Sequence, residues 1–299
     1  MKRTKLMREM PLHLMILPSI IILLIFSYVP MGGLIIAFEK FSPAKGFFGS
    51  KWVGLNNFTY LIHLPGVFQV LYNTVFIAIL KIIAGIIVPL TFALLLNEVS
   101  ISKFKRTVQT IIYLPHFLSW IILTGILIDF LSPSDGLVNG AIKALGFKSI
   151  FFLGSEKWFP YIMVITDTWK EFGFGTIIYL AALTSIDPTH YEAAVIDGAG
   201  RWKQTWYVTI PGILPIIVLM TVLSLGSVLN AGFDQIFNMY SPAVYHTGDI
   251  IDTFIYRLGI EQAEYGPSTA AGFFKSLVSL FFITTSYKLA DKFAGYKIF

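Results

Sequence analysis

The chain has 299 residues, of which 56% are hydrophobic and 13% are charged, whereas soluble domains carry roughly 25% charged residues. This composition excludes an ordinary soluble domain and predicts an integral membrane protein. The net charge of +5 gives no reason to expect nucleic-acid binding, and the absence of cysteine excludes disulfides, thiolate metal sites and cysteine nucleophiles.

The first apolar run, residues 12–38, follows a basic N-terminal segment, which is also the pattern of a cleaved signal peptide. The run continues past Pro18 and Pro30, and no small-residue cleavage site stands at the expected place. We therefore expect an uncleaved membrane anchor as the first transmembrane helix.

Five further apolar runs are about as long as the ~20 residues that a transmembrane helix needs. With the first run they predict six spans within one membrane domain, residues 1–299. The six spans are residues 12–38, 70–96, 108–131, 158–183, 212–230 and 270–290. Counting Lys288 at the end of the last span, twelve Lys and Arg residues lie on the side of the termini, and seven lie on the other side. The positive-inside rule therefore predicts a multi-pass protein of the cell membrane, embedded in lipid, with both termini in the cytoplasm.

Ionisable side chains inside the spans are costly and usually face a cavity or a partner. Lys170 and Glu171 lie deep in the fourth span beside Trp169 and Phe172. Flat aromatic rings together with polar groups suit a pathway for a sugar, so these four residues are candidates for substrate contact. The alternative is that they pack between helices and that the two charges pair with other charges.

Other charges also fall within the predicted spans. Lys81 is expected to snorkel or to pair with a neighbour. Asp129 and Asp167 lie nearer the span ends, so we expect both to reach water. Gly173 and Gly175 in the fourth span permit close contact with another helix.

The polar segment 187–211, between the fourth and fifth spans, predicts two short helices separated by a turn. Asp187 supplies an N-cap and Pro188 the first helical position, so the first helix is expected to end near Ala199. A second helix is expected over residues 201–210. The predicted breaks are at Gly198, Gly200 and Pro211.

The first of these helices presents a shallow stripe at helical spacing, formed by Tyr191, Ala194, Val195 and Gly198. An interfacial helix resting on lipid headgroups normally carries Lys or Arg on its polar face, whereas this helix is acidic until Arg201. A protein partner is therefore favoured over the lipid surface.

This segment resembles the cytoplasmic loop of the integral membrane permeases of binding-protein-dependent ABC importers. That loop reads Glu-Ala-Ala, three residues, Gly, nine residues, Ile, any residue, Leu-Pro. The residues at those places are Glu192, Ala193, Ala194, Gly198, Val208, Ile210 and Pro211. Val208 and Ile210 depart from the pattern but keep its apolar character.

The resemblance implies an all-α, type I ABC importer permease fold with six transmembrane helices and a cytoplasmic coupling helix. This helix would dock into a separate ATPase subunit and pass its closure to the membrane helices. The implied docking residues are Glu192, Ala193, Ala194, Asp197, Gly198 and Ala199.

The resemblance covers nearly the whole chain and extends to the carbohydrate branch of the family, the polysaccharide and oligosaccharide permeases of the LplB type. Its weaker motifs begin at Ile112 and Thr168 and include the closing residues 288–299. It implies a permease subunit that translocates an oligosaccharide or related glycoside delivered by an extracytoplasmic solute-binding protein. A second permease would complete a heterodimer, and ABC ATPase subunits would hydrolyse the ATP, so this chain is not expected to be an enzyme.

Polar residues also follow the fifth span. Ser227 and Asn230 are further candidates for the substrate pathway, although Ser and Asn in membrane helices often bond across to another helix. The acidic segment 246–265 is expected to meet an extracytoplasmic partner.

Two other classes of function stay open at this point. An ion- or proton-coupled secondary transporter would use Lys170 and Glu171 as coupling groups. A membrane-bound enzyme would use Asp129, Asp167 and Glu171 as acid and base, but no companion histidine or metal motif stands at a recognisable spacing. No phosphate-binding loop and no metal-binding histidine spacing is present, so we expect neither a cofactor nor a metal.

Overall fold

The computed structural model describes residues 2–294, with side chains described for residues 9–289 and 291. The described chain is almost entirely helical. Two strands of two residues, β1 (Glu39–Lys40) and β2 (Lys51–Trp52), pair antiparallel with Glu39 opposite Trp52. The predicted all-α class is therefore confirmed.

The long helices and the helix of the polar segment are labelled in chain order. They are α1 (Lys2–Leu23), α2 (Val67–Asn97), α3 (Trp120–Leu131), α4 (Phe159–Leu183), α5 (Pro188–Ile196), α6 (Arg201–Gly226) and α7 (Tyr265–Ala294). After α1 the chain continues through a π turn (Leu24–Tyr28), a short helix (Val29–Met31) and a 3-10 helix (Gly32–Phe38). The shorter α-helices are Gly46–Gly49, Asn56–His63, Ser102–Tyr113, Leu137–Ala144, Phe233–Met239, Tyr245–Gly248 and Ile251–Tyr256. Further 3-10 turns are Leu114–Phe117 and Pro242–Val244, and a further π turn is Arg257–Glu261.

Four helical segments of the described chain are long and apolar enough to cross a membrane. They are Glu9–Phe38, Val67–Asn97, Arg201–Gly226 and Tyr265–Leu289. A fifth is obtained if the bent pair Ser102–Phe117 and Trp120–Leu131 is one span. Helix α4 has 25 residues, a length of about 37 Å at 1.5 Å per residue, but it carries three charged residues in its middle. The count of six spans therefore stays a prediction.

The predicted third span, residues 108–131, contains a sharp bend. Its two helices meet at 105°, and between them Leu118 and Ser119 are extended, with ψ of 137° and 151°. Pro115 lies in the 3-10 turn before the bend, and the Ser119 hydroxyl accepts from the backbone N–H of Ile122 to begin α3. Both features favour ending one helix and starting another at this point.

Contacts divide the chain into two compact units, one of residues 1–65 and 255–274 and the other of residues 66–254 and 275–299. In the larger unit, α2 packs along α4. A Cβ on Gly173 of α4 would overlap the backbone carbonyl of Ile112, and a Cβ on Gly175 would crowd Pro89 of α2. The predicted close helix contact at these two glycines is thereby confirmed.

The larger unit has two apolar cores. One contains Ile77 of α2, Phe159 and Met163 of α4, and Ile236 and Ile250 from the chain after α6. The other contains Ala93 of α2, Tyr179 and Leu183 of α4, and Ile213 of α6. These cores fix α2, α4 and α6 beside one another, so that the polar side chains of these helices meet.

The acidic segment 246–265 is less exposed than the sequence suggested. Asp249 is 2% exposed and accepts a hydrogen bond of 2.7 Å from the Thr253 hydroxyl. Asp252 lies 2.5 Å from the ammonium of Lys275. These two carboxylates therefore bind their own chain, whereas Glu261 and Glu264 are exposed.

Candidate functional site

Helix α5 begins with the predicted cap. The backbone N–H of Thr189 donates to the Asp187 carboxylate at 2.9 Å, and Pro188 occupies the first helical position. This hydrogen bond holds the pKa of Asp187 below its ordinary value, because it stabilises the charged form. The carboxylate therefore stays ionised and caps the helix near neutral pH.

The turn that ends the same helix contains Gly198, which has a φ of +75°. The N–H of Gly198 donates to the Val195 carbonyl at 3.0 Å, and the N–H of Ala199 donates to the Ala194 carbonyl at 2.9 Å. This pair of bonds is a Schellman motif, which needs a left-handed residue at the position of Gly198. The helix therefore ends at Ile196, three residues before the predicted end at Ala199.

One contact holds α5 itself, and two more hold the turn after it and the start of α6. The Tyr191 hydroxyl lies 3.0 Å from the Thr209 hydroxyl of α6. The Gln204 amide donates to the Ala199 carbonyl at 2.8 Å. The Arg201 guanidinium lies 3.0 Å from the carboxylate of Glu98, directly after α2. The Tyr191 contact therefore ties α5 directly to α6, whereas the Arg201 pair is exposed and contributes little.

One face of α5 is exposed. The exposed residues are Glu192, Ala193, Val195, Ile196, Asp197 and Gly198, whereas Tyr191, Ala194 and Ala199 are half-buried. Ile196 is 86% exposed, which is unusual for an isoleucine. The predicted stripe of Tyr191, Ala194, Val195 and Gly198 is therefore not a single exposed face, because its first two residues turn toward their own chain.

The second predicted helix does not end at Pro211. Helix α6 runs without interruption from Arg201 to Gly226 and contains a π turn at Thr205–Thr209. In this turn the N–H of Ile210 donates to the Thr205 carbonyl, five residues back. The wider turn admits a proline that has no N–H to donate, so the helix continues. The part of the polar segment from Arg201 onward is thus continuous with the helix of the fifth predicted span, and that helix ends at Gly226.

A second group of polar residues lies between the helices of the larger unit. The Lys81 ammonium donates to the Asp167 carboxylate at 3.2 Å, to the Ala231 carbonyl at 2.8 Å and to the Gln235 side-chain oxygen. The Gln235 amide in turn donates to Thr166 at 2.7 Å. The expectation that Lys81 pairs with a neighbour is confirmed. The expectation that Asp167 reaches water stays a prediction, because its side chain pairs with Lys81 but is 26% exposed.

A third group surrounds the predicted charges of the fourth span. The Lys170 ammonium lies 2.7 Å from the Glu171 carboxylate, donates to the His116 carbonyl at 3.0 Å and lies 5.6 Å from the ring centroid of Trp120. The other oxygen of Glu171 lies 2.7 Å from Nδ1 of His116. The Lys170 side chain is 8% exposed and that of Glu171 is 43% exposed. Lys170 is therefore fixed among protein groups, while Glu171 keeps one side open.

Two cavities connect these charges to the other candidates. One, of about 200 Å³, is lined by Lys81, Asp167, Ser227 and Asn230 among others. The second, of about 210 Å³, also has Lys81 and Asp167 in its lining and adds Glu171 and Phe172. The Lys81–Asp167 pair therefore belongs to both walls. Trp169, which is 44% exposed, and Lys170 line neither cavity.

Sequence reasoning did not identify two of the contacts in these groups, those of His116 with Glu171 and of Gln235 with Lys81. His116 lies 55 residues before Glu171, and Gln235 lies 154 residues after Lys81. Neither contact can be predicted from the positions of its two residues along the chain, because both depend on how the helices pack. The only available signal was the rarity of charged residues in the spans, each of which needs a polar partner.

A family model described as binding-protein-dependent transport system inner membrane component matches residues 85–293. Two relatives from Bacillus subtilis (strain 168) are each 42% identical to this chain. They are the polygalacturonan/rhamnogalacturonan transport system permease protein YteP, with 97% of this chain and 90% of the relative covered, and protein LplB, with 96% and 90% covered.

A solved structure is also similar. A chain of a bacterial ABC transporter involved in the import of the acidic polysaccharide alginate superimposes with a TM-score of 0.90. It is 39% identical in sequence, and the match covers 97% of this chain and 98% of that chain. The predicted permease fold is therefore confirmed.

Proposed function

The chain belongs to the family of binding-protein-dependent transport system inner membrane components, and we propose that it is a permease subunit that imports an oligosaccharide or related glycoside. The observation that carries the proposal is the 42% identity, over 97% of the chain, to a permease named for polygalacturonan and rhamnogalacturonan transport. The similar alginate importer is named for another acidic polysaccharide. Oligosaccharide fragments of polysaccharides are thus the favoured class of substrate.

In this proposal the energy comes from ATP hydrolysed by separate ABC ATPase subunits. Helix α5 is the element that docks to them, through Glu192, Ala193, Asp197 and Gly198 at its exposed face, with Ala194 and Ala199 behind. A helix capped at both ends transmits displacement with little internal bending, because its terminal backbone groups are already bonded. The continuous helix α6 then carries that displacement toward the membrane.

The substrate pathway is proposed to follow the two cavities along α2, α4 and α6. Glu171, Phe172, Ser227 and Asn230 contribute lining that suits hydroxyl groups and the apolar face of a sugar ring. Trp169 and Lys170 lie on the same helix beside this pathway, and Lys170 holds the Glu171 carboxylate and donates to the His116 carbonyl.

The assembly proposed for transport contains a second permease, in a heterodimer, and an extracytoplasmic solute-binding protein that delivers the sugar. Six spans in one chain are too few for an obvious complete pathway, so a second permease is expected to form the other wall. The termini and α5 are assigned to the cytoplasm by the distribution of Lys and Arg.

The test is purification of the chain from its native membrane in mild detergent, with identification of stoichiometric companions, followed by uptake in proteoliposomes. We expect an ATPase and a second permease to accompany the chain, and oligosaccharide uptake to require ATP and the solute-binding protein. Uptake by the chain alone, driven by an ion gradient, would replace this proposal with a secondary transporter that uses Lys170 and Glu171 as coupling groups.

A further inference from the structure

The larger unit carries a surface of basic and aromatic side chains, formed by the helix Ser102–Tyr113 and by the first two turns of α6. By the predicted topology, both segments lie on the cytoplasmic side of the membrane. We call this the basic–aromatic surface and define it by six exposed residues, Lys103, Phe104, Arg106, Trp202, Lys203 and Trp206.

The two segments of this surface are neighbours in the fold. Val108 of the first helix packs against the apolar core that contains Ile213 of α6. The Arg201 guanidinium, at the start of α6, lies 3.0 Å from the carboxylate of Glu98, which comes shortly before the first helix in the chain. One core and one ion pair therefore hold the two basic segments together.

The positive charge of the surface is not neutralised within the chain. No acidic residue occurs in residues 99–128 or in residues 198–233. Lys103, Arg106 and Lys203 form no ion pair with any residue that the structure describes. Three unpaired cations on one exposed surface favour an anionic partner.

The length of α6 places its first residues at the level of the lipid headgroups. The helix has 26 residues, about 39 Å at 1.5 Å per residue, whereas the hydrocarbon core is about 30 Å thick. The excess of about 9 Å corresponds to about six residues. It lies at the Arg201 end of the helix, because residues 204–226 carry no charge.

The two tryptophans on this part of α6 suit the membrane interface. Trp202 is 74% exposed and Trp206 is 53% exposed, and their ring centroids are 6.1 Å apart, so the rings form one apolar face. Tryptophan is enriched at the boundary between headgroups and acyl chains, where its ring lies in an apolar environment and its N–H reaches water.

The helix Ser102–Tyr113 has the pattern of a helix that lies in the membrane interface. Phe104 and Ile111 are seven residues apart and share a face, and they are 56% and 64% exposed. Lys103 and Arg106 lie three residues apart on a different face of the helix. Amphipathic helices with a basic polar face bind anionic lipid surfaces.

The proposed ATPase is the competing occupant, because α5 ends shortly before Arg201. The exposed charged residues of α5 are Glu192 and Asp197, which are both acidic, so α5 and the basic–aromatic surface have opposite charge. The same absence of Lys and Arg that favours a protein partner for α5 is reversed here. Charge and depth in the bilayer together favour lipid for the basic–aromatic surface.

We propose that the basic–aromatic surface binds anionic phospholipids of the cytoplasmic leaflet. Lys103, Arg106 and Lys203 contact the headgroups, and Trp202 and Trp206 lie at the boundary with the acyl chains. The inference goes beyond the proposed function, because lipid binding here does not depend on what the chain transports. It adds a preference for phosphatidylglycerol over phosphatidylcholine, to which each cation contributes about fivefold in affinity.

The test is photo-crosslinking of the assembled transporter in nanodiscs of phosphatidylcholine. The probe is a trace of photoactivatable phosphatidylglycerol, which is displaced by increasing amounts of unlabelled phosphatidylglycerol, and labelled peptides are identified by mass spectrometry. We expect labelling of residues 102–113 and 201–210. Lys103→Gln/Lys203→Gln should raise the phosphatidylglycerol fraction needed for half-displacement at least tenfold, and Trp202→Ala should reduce labelling several-fold. All three residues are exposed, so these replacements leave the fold intact.

The matched control is Lys148→Gln/Lys157→Gln, which removes two exposed charges of the same unit outside the surface and should leave half-displacement unchanged. An equal change in the two double variants would assign the effect to net charge and overturn the inference. Equal labelling by photoactivatable phosphatidylcholine, or labelling only outside the two segments, would also overturn it. Loss of the copurifying ATPase from Lys103→Gln/Lys203→Gln, with lipid displacement unchanged, would assign the surface to the ATPase instead.

Discussion

Each buried ammonium group in the membrane helices is stabilised by a few individual partner residues. Lys81 is held by Asp167, Gln235 and a backbone carbonyl, and Lys170 is held by Glu171 and the His116 carbonyl. In each group the ammonium has several acceptors, so its cost of leaving water is offset locally. If one residue of a charged pair is replaced, the other charge is left without its counter-ion among apolar side chains.

Replacement of Lys81 should reveal this dependence. Lys81→Met leaves the Asp167 carboxylate without its cation, and we expect a loss of about 3–5 kcal/mol in the free energy of unfolding, by analogy with broken buried pairs. The double variant Lys81→Met/Asp167→Leu should recover much of this loss. Thermal unfolding of the purified protein in detergent measures both.

The control for that experiment is Asp129→Asn, because Asp129 is exposed and a surface change of this kind alters stability by about 0.5 kcal/mol or less. If Lys81→Met lowered the free energy of unfolding no more than this control, the Lys81–Asp167 pair would make no measurable contribution to stability. Asp167 would then have to be stabilised by water or by another group.

Gly198 tests the end of the α5 helix at the same scale. Its φ of +75° disfavours any side chain, although a Cβ there would meet no atom within 4 Å. We expect Gly198→Ala to strain the turn by about 1–2 kcal/mol and to reduce ATP-coupled uptake several-fold. Gly200→Ala is the matched control, because Gly200 has a φ of −68° and equal free space. Equal uptake in the two variants would show that the left-handed turn does not matter for coupling.

At the scale of elements, the sequence predicts some helix ends and misses others for identifiable reasons. The cap at Asp187 and the break at Gly198 depend on local chemistry and were predicted. The passage of α6 through Pro211 was not, because a π turn leaves no sequence signal comparable to a capping residue. The bend after Phe117 depends on Pro115 together with packing against α4, and only the first of these is visible in the sequence.

The candidate site divides in the same way. Glu171, Phe172, Ser227 and Asn230 were identified by residue type, and the structure places them along two cavities. The charged pair common to both walls, Lys81 and Asp167, was not chosen, because its two members come from different helices. Contacts between helices follow from packing, which one sequence does not reveal.

The cap of α5 leads to a prediction for that element. Asp187→Ala removes the acceptor of the Thr189 N–H, and we expect a cost of about 1 kcal/mol and weaker association with the ATPase subunit. Asp187→Asn retains a capping oxygen and should behave nearly as the unaltered chain does. Copurification of the ATPase with each variant gives the comparison, and an equal loss in both variants would assign the effect to charge and not to capping.

At the scale of the whole molecule, orientation in the membrane is the property most open to a direct test. The chain contains no cysteine, so a single introduced thiol is labelled without background. We expect Ser134→Cys to react with a membrane-impermeant maleimide in intact cells and Gly200→Cys to react only after permeabilisation. The opposite pattern would invert the topology and place α5 outside the cell.

The π turn at Thr205–Thr209 also sets the angular phase between α5 and the membrane-facing part of α6. One residue corresponds to about 100° of rotation around an α-helix. A relative of this chain that lacked the extra residue would present a different face of its fifth helix to α2 and α4, even with an identical α5. Chimeras that exchange the polar segment between permeases should therefore be joined beyond residue 211. The π turn is then exchanged together with the helix whose rotation it determines.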